Sequence, residues 1–136
     1  MKIGIFDSGI GGLTVFRQLM KKLPNSDYVY LGDTARLPYG IKSRKTVVEY
    51  SIKNTQFLIN KGCIPIISLV SPYIDLRDEF KSKYNVLEVY LHTSETRGRE
   101  DYFVKDYEPP IKNFLDMDTT YKTEEESLDE ILNVYR

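Results

Sequence analysis

The chain has 136 residues, enough for one core of ordinary size. Its 19 Lys and Arg nearly cancel 20 Asp and Glu, leaving a formal charge of −1. That balance excludes a strong field for gathering nucleic acid or anionic lipid, and no apolar run approaches membrane-spanning length.

Cys63 is the single cysteine, so no intrachain disulfide can form. Lys2 is followed by a short strand-like run rather than a long apolar leader segment, and the expected location is the cytoplasm. Ile3 to Phe6 reads as a strand buried on both faces, and Ser8 to Gly12 as a tight turn. Leu13, Val15, Phe16, Leu19 and Met20 then recur at helical spacing until Pro24. Residues 27–33 form a second strand, and Pro38 and Gly40 punctuate the loop after it.

Ser43 caps a long helix running to about Asn60, with Gly62 just past its end. Residues 63–70 form a third strand that tolerates Pro65 near its start. A helix is entered through Ser71-Pro72, and a fourth strand carries Leu87, Val89 and Leu91 on one face. Residues 93–120 show little periodicity and read as irregular. Glu124 to Glu126 mark the start of a terminal helix with Leu128, Ile131 and Leu132 inward.

Alternating strands and helices predict one α/β domain over residues 1–136. The expected architecture is a three-layer sandwich on a four-stranded parallel sheet, flavodoxin-like or P-loop-like in order. The leaning is second-first-third-fourth, with the third strand central. The third strand also forms a well-ordered seam between halves 1–62 and 63–136.

Asp7 and Ser8 place a carboxylate and a hydroxyl at the carboxyl end of the first strand, where an open parallel sheet receives ligands. Gly9, Gly11 and Gly12 let backbone N–H groups approach an anion at the following helix. No Gly-Lys-Ser/Thr follows, so this is not a P-loop. Two readings stay open on these residues alone: a weak anion or amino-acid site, or glycines needed only for the turn.

The run from Ile3 to Val15, the Tyr30 to Gly40 segment, and Phe57 to Gly62 closely resemble the N-terminal part of glutamate racemase. The resemblance implies that Asp7, Ser8, Gly9, Pro38, Tyr39 and Gly40 line an amino-acid pocket. It also implies a cysteine where Val70 stands, followed by Asn and Thr where Ser71 and Pro72 stand. Cys63 lies at the other end of that strand and reads as a small buried apolar residue. Racemisation takes a proton from one face and returns one on the other. With no thiol in place, the expectation is no catalytic residue and no enzyme of its own, with isomerase chemistry the first alternative.

Residues from about 65 to 121 resemble the C-terminal part of adenylylsulfate kinase, through Ser71-Pro72-Tyr73, Leu87 to Ser94 and Ile111 to Asp118. By that resemblance Ser71, Pro72, Lys112, Asn113 and Phe114 would hold a nucleotide, and Arg77 matches a family arginine. Together the two resemblances imply an engineered chimera without catalysis. Its alternatives are a residual glutamate-binding or racemase-like protein, or a residual nucleotide-binding one. No metal and no cofactor are expected. The expected partner is a small anion or amino acid, weakly bound, with no nucleic acid and no membrane, on a monomer or strand-exchanged dimer.

Overall fold

The computed structural model describes residues 1–8, 12–33, 43–98, 100–102 and 104–135. In chain order the elements are β1 (Lys2–Asp7), α1 (Gly12–Lys22), β2 (Asp27–Gly32), α2 (Arg44–Asn60), β3 (Ile64–Ser68), α3 (Ile74–Lys83), β4 (Glu88–His92), a 3₁₀ turn (Glu100–Tyr102), β5 (Phe114–Asp118) and α4 (Glu124–Tyr135). They gather into two compact units, Met1–Val70 and Ser71–Arg136. Among the described residues no helix is long and apolar enough to cross a membrane.

The first unit is built on a parallel sheet of order β2-β1-β3. Strand alternation divides its side chains cleanly. Ile3, Ile5 and Asp7 share one face with Tyr28 and Tyr30 of β2, their register partners or neighbours, and Phe16 of α1 packs against both tyrosines. Gly4 and Phe6 share the other face, where Phe6, Leu58 of α2 and Cys63 form a buried cluster bordered by Val29, Leu31, Val47, Tyr50, Ile67 and Leu69. Helices therefore cover both faces of this sheet. Gly4 is required by that packing, because a Cβ there would come 2.7 Å from Leu58 Cδ2 and 3.0 Å from Cys63 Cβ.

Local signals act as expected in α2. The Ser43 hydroxyl accepts the Thr46 N–H at 3.2 Å, and the chain leaves the helix through Gly62 at φ +71°. Within α2 the buried Thr55 hydroxyl bonds the Ser51 carbonyl at 2.7 Å, which satisfies it without a partner from another element.

Three expectations are corrected. The single four-stranded sheet is instead a three-stranded and a two-stranded sheet, because β4 takes β5 as its parallel partner from Glu88↔Phe114 to His92↔Asp118. Strand β5 lies inside the stretch read as irregular. β3 is an edge strand of its sheet rather than a central one, pairing with β1 alone among the described strands. The Ser68 carbonyl accepts the Ser8 N–H, so in a parallel ladder residues 64, 66 and 68 turn their backbone groups toward β1. Pro65 then turns its missing N–H away from β1, which explains how the strand accommodates it.

In the second unit α3 begins at Ile74 rather than at Ser71-Pro72, and its first amide is capped from afar: Glu108 Oε2 accepts the Ile74 N–H at 2.7 Å. Arg77 organises this unit. Its Nε bonds Glu88 Oε1 at 2.8 Å, its two terminal nitrogens bond the Ser71 and Glu108 carbonyls, and its guanidinium lies 5.1 Å from the Tyr107 ring centre. Lys81 bonds the other oxygen of Glu88 and also Asp78. Burial opposes the charge on Lys81, but those two carboxylates outweigh it and hold its pKa above the ordinary value. At α4, Thr123 and Glu126 cap each other reciprocally, the Thr123 hydroxyl accepting the Glu126 N–H and Glu126 accepting the Thr123 N–H.

Three carboxylates of this unit, the half-buried Glu95 and the exposed Asp118 and Glu126, are held below their ordinary pKa. Arg97 and the Tyr121 N–H do this for Glu95, the Thr120 hydroxyl and N–H for Asp118, and the Thr123 N–H and hydroxyl for Glu126. A depressed folded-state pKa contributes stability that is fully present above the unfolded value of about 4 and is lost as pH falls through the folded value. Amide exchange at Thr120, Tyr121 and Thr123 is therefore expected to accelerate beyond the intrinsic trend as pH is lowered below about 4. Protection factors at these amides that stay constant through that range would contradict the assignment.

Candidate functional site

The strand order β2-β1-β3 reverses direction at β1, so a crevice is expected at the carboxyl ends of β1 and β3. Asp7 ends β1 there, opposite Gly32 on one side and Ser68 on the other. It is only 3% exposed. Its Oδ2 accepts the Gly12 N–H from the start of α1 and the Tyr30 hydroxyl at 3.1 Å. Its carbonyl accepts the N–H of Asp33, a second buried acid, at 3.0 Å. Gly12 has no room for a side chain: a Cβ would stand 2.8 Å from Asp7 Oδ2 and 2.9 Å from its Cγ. The glycine at that position is thus set by contact with the carboxylate.

Tyr30 escaped the sequence reading. The signal was present, because Tyr30 lies two residues before Gly32, which is the register partner of Asp7, and so projects from the same face. Burial pushes the Tyr30 phenol above its ordinary pKa, and the hydrogen bond to Asp7 and its negative charge push in the same direction.

Asp7, Ser8 and Gly12 of the sequence-predicted site come together at the end of β1. Gly9, Gly11, Pro38, Tyr39 and Gly40 lie outside the described residues. Val70 stands 61% exposed just past the end of β3. Cys63 is buried against Phe6 and Leu58 at the opposite end of that strand.

The second set lies in the second unit and is partly absorbed by its framework. The Ser71 carbonyl is taken by Arg77, and the Pro72 carbonyl accepts the Glu108 N–H at 2.8 Å. Lys112 and Asn113 line an open cleft of about 430 Å³ with Asp78, Lys81, Ser82 and Asn85. Phe114 begins β5 and meets the Tyr90 ring edge-on at 6.3 Å. The cleft sits beside the C-terminal end of α3 and before the first residues of β4 and β5. A helix C-terminus carries partial negative charge, which disfavours a phosphate there.

No protein-family model matches the chain. Over 62 residues it is 60% identical to glutamate racemase from Aquifex aeolicus, a stretch covering 46% of this chain and 24% of that protein. Over 85 residues it is 45% identical to glutamate racemase from Koribacter versatilis, covering 62% of this chain and 29% of the relative. The chain thus spans about a quarter of the length of these curated relatives. Among solved structures, glutamate racemase from Francisella tularensis in complex with D-glutamate matches at a TM-score of 0.50 and 28% identity, over 88% of this chain and 53% of that one. Glutamate racemase from Thermus thermophilus in complex with β-chloro-D-alanine matches at 0.50 and 29%, over 68% of this chain and 43% of that one.

These findings overturn the reading as an engineered chimera. A match of 85 residues cannot be contained in residues 1–62, so the likeness crosses the supposed join, and the structural likeness to glutamate racemase extends over most of the chain. These likenesses do not show the adenylylsulfate kinase segment, and the chain is similar to glutamate racemases on both sides of Gly62.

Proposed function

We propose that the chain carries a glutamate-binding site of the glutamate racemase type, the kind of site that serves amino-acid isomerisation in its relatives. The observation that supports this most is the Asp7 carboxylate, buried at the carboxyl end of β1 and fixed by Gly12 and Tyr30, in a chain 60% identical over 62 residues to a glutamate racemase. In this reading Asp7 receives the substrate ammonium. The Ser8 hydroxyl receives a carboxylate oxygen close to the start of α1, where a helix terminus favours negative charge. These residues supply binding and orientation. Removal of the α-proton needs a base held against Cα, and Val70 occupies the position at which the resemblance implies a thiol. A cytoplasmic setting suits the reading, with Cys63 unpaired.

Titration with D- and L-glutamate, followed by amide NMR, tests the proposal. Saturable shifts are expected at Asp7, Ser8 and Gly12, and Asp7→Asn should weaken binding about tenfold or more, by loss of a charge-assisted contact. Deuterium exchange at the glutamate α-carbon, followed in the same samples, reports any proton abstraction. Shifts that fail to saturate, or that sodium chloride reproduces, would defeat the proposal.

A further inference from the structure

We infer that Tyr30 is a positioning residue for this site: its hydroxyl, together with the Gly12 N–H, holds the Asp7 carboxylate in the orientation that receives a substrate ammonium group. The inference rests on the amino-acid reading given above. Its basis is the way the phenol is itself held. Tyr30 lies on β2 with Ile5 as its register partner, on the face of the sheet that carries Asp7. Phe16 of α1 stacks on its ring at 5.7 Å and 23°, and meets Tyr28 edge-on at 5.4 Å. The Tyr28 hydroxyl in turn bonds the Leu19 and Leu23 carbonyls at the far end of α1, both at 2.9 Å.

The aromatic row Tyr28-Phe16-Tyr30 thus runs between the last turn of α1 and the carboxylate, while the first turn of α1 reaches the same Oδ2 through Gly12. Two donors on one oxygen, from two different elements, fix both the place of the carboxylate and its rotation about the Cβ–Cγ bond. A carboxylate left to rotate would have to be ordered at each binding event, and that ordering weakens affinity. Tyr30 needs no contact with the substrate to act in this way.

Tyr30→Phe keeps the ring stacked on Phe16 and removes only the hydroxyl. The probes are glutamate and glutarate, which share both carboxylates and differ in the ammonium group. The expected result is about a tenfold rise in the glutamate Kd, from loss of a hydrogen bond to a charged group, with the glutarate Kd unchanged. An equal loss for both ligands would show damage to the fold of the site and overturn the inference, as would no loss for either. Absence of glutamate binding by the unsubstituted chain would overturn the reading of the site itself, and is told apart by being seen before any substitution.

A second measurement covers the case in which Tyr30→Phe does not fold. The Tyr30 phenol, titrated by carbon NMR, should fall toward its ordinary pKa in Asp7→Asn, because burial still raises it but the negative charge that adds to the rise is gone. A titration unchanged by that substitution would show that the two groups are not coupled, and would overturn the inference.

Discussion

Arg77→Leu is expected to destabilise the second unit by about 3 kcal/mol, the cost of breaking a buried charge pair by removing one partner. The side chains of Arg77 and Glu88 are 10% and 11% exposed, so water offers little compensation. The substitution also frees the Ser71 and Glu108 carbonyls and the face of Tyr107, undoing the link between the start of α3, β4 and the segment around Glu108. Lys81 stays on Glu88 and keeps the loss from being larger. Arg77→Lys should recover only part of the difference, since an ammonium group cannot reproduce a planar fork aimed at three acceptors. Urea unfolding followed by amide NMR of β4 and β5 measures both. A change below about 0.5 kcal/mol in Arg77→Leu would place it among ordinary surface substitutions and refute the role given to it.

Leu58→Ala carries a loss of similar size in the first unit, about 3 kcal/mol, from lost transfer energy and the cavity left behind. Leu58 is fully buried, and its methyl groups fill the space over Gly4, where the sheet has no side chain of its own. The same geometry predicts coupling. Gly4→Ala alone should be destabilising because its Cβ would press on Leu58 Cδ2, whereas in the Leu58→Ala background that clash disappears and only the 3.0 Å approach to Cys63 remains. The double variant should therefore be more stable than the sum of the single losses implies. Simple additivity in urea midpoints would show that the close approach is relieved in some other way.

Much of the first unit, and the start of α4 in the second, was legible because the signals are local. The buried run of β1, the Ser43 cap, the Gly62 stop and the acidic first turn of α4 each follow from a few neighbouring residues. What escaped depends on partners distant in sequence. β5 alternates Leu115 and Met117 with Asp116 and Asp118, a genuine period of two, but it follows Pro109-Pro110 and is only five residues long. Its identity is settled by pairing with β4, which no local pattern reveals. The start of α3 moved for the same reason: the Ser71 and Pro72 carbonyls and the Ile74 amide are engaged by Arg77 and Glu108. Arg77, which the kinase resemblance matched to a family arginine, is spent on Glu88. At the candidate site the Asp7 and glycine signals were readable, whereas the role of Tyr30 required the register between β1 and β2.

Pro65 has a consequence for how copies of this chain behave when crowded. Along the side of β3 turned away from β1, the strand offers the carbonyls of Pro65 and Ile67 but only one amide, that of Ile67. An extended segment from another molecule could donate to that edge yet would find half the donors it needs in return. Growth of the sheet from the β3 edge is thereby hindered at its first step, by a single ring in the backbone and without any charged side chain within β3.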